Sequence, residues 1–562
     1  MSGSQSGINA VDQILQKVDL ANIQDERARE CLRLLLNLIE SLTADLRKAQ
    51  AENLYLREQL NRRQGGGGKP GPSKDTAAPA SQSSEKERAE PSETKQRTKR
   101  SKLDRIRIDR EEVLTLDRTS IPPDAEFKGY EEVVVQELRI GTDNVKFRKE
   151  KYYAPSTGRT YLAPLPAGYH GEFGPNVKSL CLLFSHLCNM TEPKIADLLE
   201  NMGIVISSGQ ISAWVTGGAY PGMQEEKQAI VAAGLSSSAW HHMDDTGTRV
   251  DGKNQHCQIL CNPLYGAYFT TARKDRLSII DVLRNGRQRV FRLNEEALDL
   301  LVQFGVSKRV REGVGQLPFH QDWSQEELQR RLTEQIPDLG PGARSRIVEA
   351  AALAAYHAES GHVRLLVCDD AKQFKLVAEQ LALCWIHDGR HYQSLAPCVP
   401  QHRDWLEAFR KRYWDFYKLL RAYQQAPTRE RPAQLRKQFD ELFSTVTGYD
   451  ALDQRIAKTK ADKTHLLMVL EHPEIPLHNN PAELDARLRV RKRVVSYGPR
   501  STAGAQAWDA METLLSTARK LGVNFFQYLR DRVSGARQMP ALAELIEQRA
   551  KTRDLSSSWV PP

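Results

Sequence analysis

Apolar residues recur alternately every three and four positions near the N-terminus, the spacing of about four heptads of coiled coil. These positions are Leu32, Leu35, Ile39, Leu42, Leu46, Ala49, Asn53, Leu56 and Leu60. Asn53 is a polar break that favours a parallel two-stranded register, because two Asn side chains can satisfy each other across the interface. We therefore expect a homo-oligomer formed through this coiled coil. The alternative is a single amphipathic helix packed on its own chain.

Beyond this segment the three- and four-residue spacing of apolar positions ends. Residues 65–102 have almost no large apolar side chains and are expected to be a disordered linker. The basic run at 95–110 could follow a phosphate backbone, although such runs are more often only solvated. Segments 131–140, 144–153 and 159–165 are strand-like and separated by turn residues, which predicts a small antiparallel sheet.

Two helical patterns with a short turn between them follow. Thr191 is a plausible N-cap of the first helix and Gly203 its end, and Ser207 with Gln210 forms a capping box for the second. This spacing is compatible with a helix-turn-helix that reads DNA, although most such helix pairs serve only to pack.

Paired carboxylates interrupt the strand-like runs that come next. Asp244 and Asp245 lie within "SAWHHMDDTGTRV" (238–250), where like charges repel and β-propensity is poor. The pair therefore lies in a turn, or at least one carboxylate binds a metal ion or a proton. Two more strand-like runs follow, and a later apolar run ends in Asp369 and Asp370. Ligand sites of open α/β sheets gather at such strand ends.

A third acidic candidate is Glu483, in a helix that Asn480 could cap and Pro481 could open. Glu483 could simply complete a capping box. A functional role is favoured by its basic surroundings, which suit a place where phosphates and metal ions meet. The basic residues that follow it are Arg487, Arg489, Arg491, Lys492 and Arg493.

Composition narrows the class of protein without deciding it. A chain of 562 residues with 40% hydrophobic content can form several domains, and a net charge of +9 favours a polyanionic partner only mildly. The eight cysteines are scattered through apolar runs, which indicates buried thiols in a reducing cytoplasm. Since we find neither an apolar run of membrane-spanning length nor a signal peptide, we expect a cytoplasmic protein with no membrane partner.

The order of these motifs resembles the insertion sequence sixty-six family of bacterial DDE transposases. The similar motifs are "DDT", the strand ending in Asp369, "CWIH" with Arg390, "HNNPAE", and "AGAQAWDAMETLLSTARKLGVNFFQYLRD". The resemblance implies an α/β ribonuclease H-like core with helical insertions. It also implies catalysis by Asp244, Asp369 and Glu483, which would bind two Mg²⁺ or Mn²⁺ ions about 4 Å apart.

The same resemblance implies DNA as the partner, including element terminal repeats and target, and an accessory protein encoded by the element. His387 and Arg390 are expected near the site or the DNA, and Arg487, Arg491, Lys492 and Arg493 are expected to contact DNA. The chain resembles a divergent member of the family in three respects. Residues 103–175 contain no Cys, so the cysteine zinc-binding segment of many relatives is missing. Leu484 stands where the family has Arg, and the interval from Asp244 to Asp369, 369 − 244 = 125 residues, is long.

Together these patterns predict six regions. They are N-terminal helices with the coiled coil (1–64), the linker (65–102), a small β-rich domain (103–175), a helix-turn-helix-like DNA-binding region (176–235), the catalytic core (236–535) with helical insertions at about 296–360 and 400–475, and a C-terminal tail (536–562).

Other hypotheses stay open. The chain could be a catalytically inactive DNA-binding relative, or a ribonuclease H-like nuclease without strand transfer. Cys384, His387 and His391 have spacing suited to zinc but lack a fourth partner, so Cys384 and Trp385 are more simply interpreted as strand core.

Overall fold

The computed structural model describes residues 15, 20, 23–63, 107–117, 122, 125, 128–138, 140–166 and 168–553. The predicted linker at 65–102, the basic run up to residue 106 and the last nine residues lie outside this part of the chain.

The described residues form a mixed α/β structure. Its strands are β1 (Lys151–Ala154), β2 (Arg159–Leu162), β3 (Trp240–Val250), β4 (Lys253–Cys261), β5 (Gly266–Thr271), β6 (Phe291–Arg292), β7 (Asp322–Trp323), β8 (Leu365–Cys368) and β9 (Gln380–Leu383).

The helices up to the end of β8 are α1 (Glu26–Arg63), α2 (Pro175–His186), α3 (Glu192–Asn201), α4 (Ser208–Ala213), α5 (Met223–Ser236), α6 (Arg276–Leu283), α7 (Glu295–Gln303), α8 (Lys308–Val314), α9 (Gln325–Gln335) and α10 (Pro341–His357). Those that follow are α11 (Trp385–Gln393), α12 (Pro400–Gln425), α13 (Arg431–Leu442), α14 (Asp450–Ala461), α15 (Lys463–Leu466), α16 (Asn480–Ser496), α17 (Thr502–Lys520), α18 (Phe525–Val533) and α19 (Leu542–Arg553).

A five-stranded sheet in the order β5-β4-β3-β8-β9 forms the centre of the fold. Strands β3, β4 and β5 are an antiparallel meander, whereas β8 runs parallel to β3 and β9 parallel to β8. Parallel neighbours such as β3 and β8 need a long crossover connection, and α6 to α10 supply most of it, after β5 and before β8. The long interval between the first two acids is therefore filled by helices.

Helices bury both faces of this sheet. Ile259 and Cys261 of β4 pack against Ala482 and Ala486 of α16, whereas Leu260 between them joins the main helical core. This alternation follows from the two-residue period of a strand. Helix α16 packs on β3 and β4, and α17 packs along β5. Helix α16 therefore lies directly over the strand that carries Asp244.

The predicted helix pair forms where its capping signals place it. Helix α3 starts after Thr191, and the Oγ of Ser207 accepts a hydrogen bond from the backbone N–H of Gln210 at the start of α4. Trp214 then leads into a π-helical turn that ends at Gly218.

Two sequence predictions were wrong about where regular structure lies. Residues 131–138 form no strand, so the small sheet consists of β1 and β2 alone. The region 536–562 is not simply a tail, because Leu542 and Ile546 of α19 are completely buried and α19 packs on α5. Residues four apart on a helix share a face, which is how α19 enters the core.

Helix α1 packs on its own chain along one side. The carboxylate of Glu40 accepts hydrogen bonds from the backbone N–H groups of Cys398 (2.9 Å) and Val399 (2.7 Å), just before α12. His402 Nδ1 lies 3.2 Å from the same carboxylate, and Leu36 packs on Val399.

Only part of the predicted coiled-coil seam takes part in this contact. Leu32 and Ile39 pack at the contact, whereas Leu35, Leu42 and Leu46 are 50%, 60% and 51% exposed. Within the described ranges, every helix falls short of the combined length and apolar character needed to cross a bilayer.

Candidate acidic site

Strand register places Asp244 and Asp369 at the same end of two neighbouring parallel strands. Trp240 pairs with Leu365 and His242 with Val367 in the parallel β3–β8 ladder. The offset, 365 − 240 = 125, equals the interval from Asp244 to Asp369. Asp244 and Asp369 each come two residues after the last pair of this ladder, His242 with Val367, and Asp369 directly follows the end of β8. The acidic pair of β3 therefore lies inside a strand and not in a turn.

Glu483 reaches the same region because Asn479 ties the start of α16 to β3. Asn479 is fully buried, and its Nδ2 donates to the carbonyl of Met243 (2.8 Å) while its Oδ1 lies 2.9 Å from His242 Nδ1. The cap residue is thus Asn479 and not Asn480, and its side chain bonds to the sheet instead of to its own helix. The start of α16 is thereby fixed beside the residue that precedes Asp244.

The three acids interact electrostatically at Asp244. Burial raises the pKa of Asp244, and the charges of Asp369, Asp245 and Glu483 raise it further, to about 7. A hydrogen bond from the backbone N–H of Asp245 (2.8 Å) acts in the opposite direction. The negative charges of the other three carboxylates disfavour ionisation of Asp244, and a cation bound among them would offset this repulsion.

The second acid of each pair has lysine partners. Asp245 forms an ion pair with Lys274 (2.8 Å) and accepts a hydrogen bond from Gln373 (3.0 Å). Asp370 forms ion pairs with two lysines, Lys375 (2.5 Å) and Lys458 (3.2 Å). Burial would raise the pKa of Asp370, but these two lysines lower it overall. The two acids of each pair therefore have different surroundings.

Glu483 contacts side chains of α11. Its Oε2 is 3.1 Å from Arg390 Nη2, and its Oε1 is 3.5 Å from His387 Nδ1. The strand predicted to run through Trp385 ends at Leu383, and Cys384 is the N-cap of α11. The apolar run in the sequence extends past the end of β9 because Trp385, a residue of α11, is also fully buried.

The possible zinc ligands that come together at this segment differ from the set that sequence spacing suggested. Possible ligand atoms of Cys384, His387 and Glu483 all lie within 4.8 Å of one another, whereas His391 is exposed. Sequence spacing could not find Glu483 as a partner, because it lies 483 − 384 = 99 residues away.

The predicted basic contacts of α16 divide into buried and exposed residues. Lys492 is buried, and its Nζ donates to the carbonyl of Ser185 (2.7 Å), so its assignment as a DNA contact was wrong. Arg489 is also buried, where it pairs with Asp509 and Glu512.

Three of the predicted DNA contacts remain outside the core. Arg491 is exposed, Arg487 is partly buried, and Arg493 donates a hydrogen bond to the carbonyl of Gly247 in β3. The burial of Arg489 and Lys492 could have been predicted from helical spacing, because the inward-facing positions of α16 recur at three- and four-residue intervals. They include Ala482, Asp485, Ala486, Arg489 and Lys492.

Comparison with known proteins gives a family match that covers part of this site. The Transposase IS66 family matches residues 344–507, which include Asp369 and Glu483. The chain is also 34% identical over 334 residues to "Uncharacterized protein y4jO" of Sinorhizobium fredii (strain NBRC 101917 / NGR234). That alignment covers 57% of this chain and 100% of the relative. No solved structure matches the chain.

Proposed function

Because the chain belongs to the Transposase IS66 family, we propose that it is a metal-dependent DNA transposase whose catalytic residues are Asp244, Asp369 and Glu483. It cleaves the ends of its element and joins them to target DNA. The observation that carries this proposal is the buried carboxylate of Asp244, whose pKa is raised to about 7 by burial and by the neighbouring carboxylates.

Sheet topology supports a ribonuclease H-like catalytic core. The antiparallel strands β3, β4 and β5 are followed by β8 and β9, which run parallel to β3, and β3 lies in the centre of the sheet. Asp244 is therefore on β3, and Asp369 follows the end of its neighbour β8. The helices at 295–357 and 400–466 are insertions into this core. Functional residues collect where neighbouring parallel strands end, and Asp369 directly follows such an end.

The chemistry of the donors fits Mg²⁺ or Mn²⁺. Carboxylate oxygens are the ligands that hard cations prefer, and Asp244 supplies them from β3, Asp369 from the residue after β8, and Glu483 from α16. A pair of such ions, when bound, activates the attacking water or 3′-hydroxyl and stabilises the leaving oxygen. Because burial and the neighbouring carboxylates raise the pKa of Asp244, cation binding there would be coupled to the release of a proton.

Basic side chains around the acids support DNA as the substrate. Lys274, Lys375, Lys458 and Arg390 each contact a carboxylate beside the site, where phosphates could also be bound. The exposed Arg491 of α16 adds a positive charge farther along the helix. His387 and Arg487 belong to the same proposed DNA-contacting group.

The exposed side of α1 supports a homo-oligomer. Leu35, Leu42, Leu46 and Leu56 are each at least half exposed and follow the heptad spacing. A parallel coiled coil would bury them, and Asn53 would fix its register.

Replacing Asn53 with Leu should stabilise the oligomer and make its size less uniform. A monomer in sedimentation at micromolar concentration would contradict the coiled coil. An accessory protein encoded by the element remains a prediction.

The test compares acid variants with arginine variants on DNA that carries an element end. D244N, D369N and E483Q should each abolish cleavage and joining without weakening DNA binding, because removing a negative charge cannot reduce attraction to phosphates. R491A with R493A should weaken binding on all sequences and reduce its salt dependence by about one unit per lost phosphate contact.

The outcome also separates the alternatives. Tight binding without cleavage by the unmodified protein would identify an inactive DNA-binding relative. Cleavage without joining would identify a nuclease. Cleavage that persists in D244N would refute the assignment of the first acid.

A further inference from the structure

Glu483 belongs to a second group of possible metal ligands, whose other members are Cys384 and His387. Cys384 Sγ, a ring nitrogen of His387 and a carboxylate oxygen of Glu483 lie within 4.8 Å of one another. Cys384 is 1% exposed, at the junction between β9 and α11. This is a mixed sulfur, nitrogen and oxygen set, unlike the all-oxygen set of the three acids.

Backbone donors point at the sulfur of this group. The backbone N–H of Asn479 donates to Cys384 Sγ (3.2 Å), and the backbone N–H groups of Ile386 and His387 also hydrogen-bond to it. Burial raises the pKa of the Cys384 thiol to about 12, and these donors oppose that effect only in part by favouring the thiolate, which is the form of cysteine that binds metals. The donors come from two separate segments of the chain, so they fix the position of the sulfur.

Two further polar atoms in the group are buried without a hydrogen-bond partner. They are His387 Nδ1 and Glu483 Oε1, which face each other at 3.5 Å. Buried polar atoms that lack a hydrogen bond are uncommon and need an explanation. A cation bound between the two atoms would satisfy both.

We propose that Cys384, His387 and Glu483 bind one divalent ion of the borderline-soft class, for which Zn²⁺ is the probe. Cysteine, histidine and carboxylate ligands suit Zn²⁺, whereas Mg²⁺ prefers oxygen alone. Three protein ligands leave a fourth position open to water. This site is separate from the proposed two-ion site but uses one of its carboxylates.

The shared carboxylate makes the new site inhibitory, a consequence that rests on the proposed function. An ion held by Cys384 and His387 would keep the Glu483 carboxylate at α11, where it already lies, so that this carboxylate would not be free to serve the proposed two-ion site. Zn²⁺ should therefore reduce DNA cleavage supported by Mg²⁺. Binding of the ion itself does not depend on that function.

Arg390 competes with the ion. Its Nη2 lies 3.1 Å from Glu483 Oε2, and its Nη1 lies 3.2 Å from His387 Nε2. A guanidinium at these positions repels a cation and occupies part of the ligand set. Because Arg390 is 37% exposed, it can move into solvent when an ion binds. Removing Arg390 should tighten metal binding, a result that would not be expected if the cluster had only a structural role.

The direct test is a Co²⁺ titration of the full chain, reduced and stripped of metal. We expect the thiolate-to-cobalt absorption band, which C384S should remove and H387Q and E483Q should weaken by about 10-fold or more in affinity. R390A should bind more tightly. C398S and H391Q are matched controls that should behave like the unmodified protein, and Zn²⁺ should displace the Co²⁺.

Absence of the band, or a band that survives in C384S, would overturn the proposal. Circular dichroism and thermal unfolding of C384S exclude a failure to fold, and R390A gives an independent gain in affinity. The second arm compares DNA cleavage with and without Zn²⁺ in each protein. Inhibition should occur in the unmodified protein and be smaller in C384S. Lack of cleavage under all conditions would refute the proposed function and leave the cobalt result standing.

Discussion

Replacing Asp244 with Asn should stabilise the metal-free protein at alkaline pH. Burial and neighbouring carboxylates raise the pKa of Asp244 from 3.8 to about 7. Since this folded-state pKa lies above the unfolded value, ionisation favours the unfolded chain. The native protein therefore loses stability as pH rises from about 4 to about 7, and the loss then levels off. Asn cannot ionise, so D244N avoids the loss.

The size of the effect follows from the shift. A change from 3.8 to about 7 corresponds to at most about 4 kcal/mol at pH 8, because one unit is about 1.4 kcal/mol. At pH 5 the folded-state carboxyl is still protonated, and only the interval from 3.8 to 5 contributes, which is about 2 kcal/mol. The advantage of D244N should therefore be roughly halved between pH 8 and pH 5.

Thermal unfolding in chelator at the two pH values measures this difference. D245N is the matched control, because it removes a carboxylate that forms an ion pair with Lys274 (2.8 Å) and should not gain stability. Millimolar Mg²⁺ should raise the Tm of the unmodified protein at pH 8 and have less effect on D244N. A lower Tm for D244N at pH 8, or an equal gain at both pH values, would refute the electrostatic reasoning.

Three further predictions concern contacts away from that carboxylate. N479A should lower stability by about 2–3 kcal/mol in thermal unfolding, because it removes two buried hydrogen bonds and leaves the Met243 carbonyl unsatisfied; N480A is the neighbouring control. I546D should cause aggregation in size-exclusion chromatography, since Ile546 is fully buried. E40A should make α1 sensitive to limited proteolysis. Burial would raise the pKa of Glu40, but its hydrogen bonds lower it to about 2, so the stabilisation by this contact should be complete above about pH 4.5 and be lost progressively as pH falls toward 2.

Local signals in the sequence predicted those parts of the fold that depend on neighbouring residues. The cap at Ser207 is formed by a residue three positions away, and the apolar run before Asp369 becomes a fully buried strand. The alternation in 131–138 predicted a strand that does not form. A strand needs a partner and a packing layer, and Val135 there is 78% exposed.

The site depended on contacts that sequence distance conceals. The sequence indicated Asn480 as the cap, whereas Asn479 holds that position, and its bonds to Met243 and His242 join positions more than 230 residues apart. Counting charges likewise could not separate Lys492 from Arg491, since burial depends on which face of α16 meets α17. Lys492 lies on the inner face over Trp508 (4.8 Å), whereas Arg491 is exposed.

The two acidic pairs bear directly on whether the chain is an enzyme or an inactive relative. Asp245 and Asp370 each have a lysine partner, so they are compatible with a purely structural role. Asp244 instead adjoins other carboxylates and destabilises the metal-free fold when it ionises. If the protein only bound DNA, replacing Asp244 with Asn would make it more stable and should leave DNA binding intact. If D244N is more stable, binds DNA and does not cleave it, the electrostatic strain at Asp244 serves catalysis. If the unmodified protein is equally inactive with Mg²⁺ and Mn²⁺, that strain has no catalytic role, and the chain is a DNA-binding relative that retains its acids.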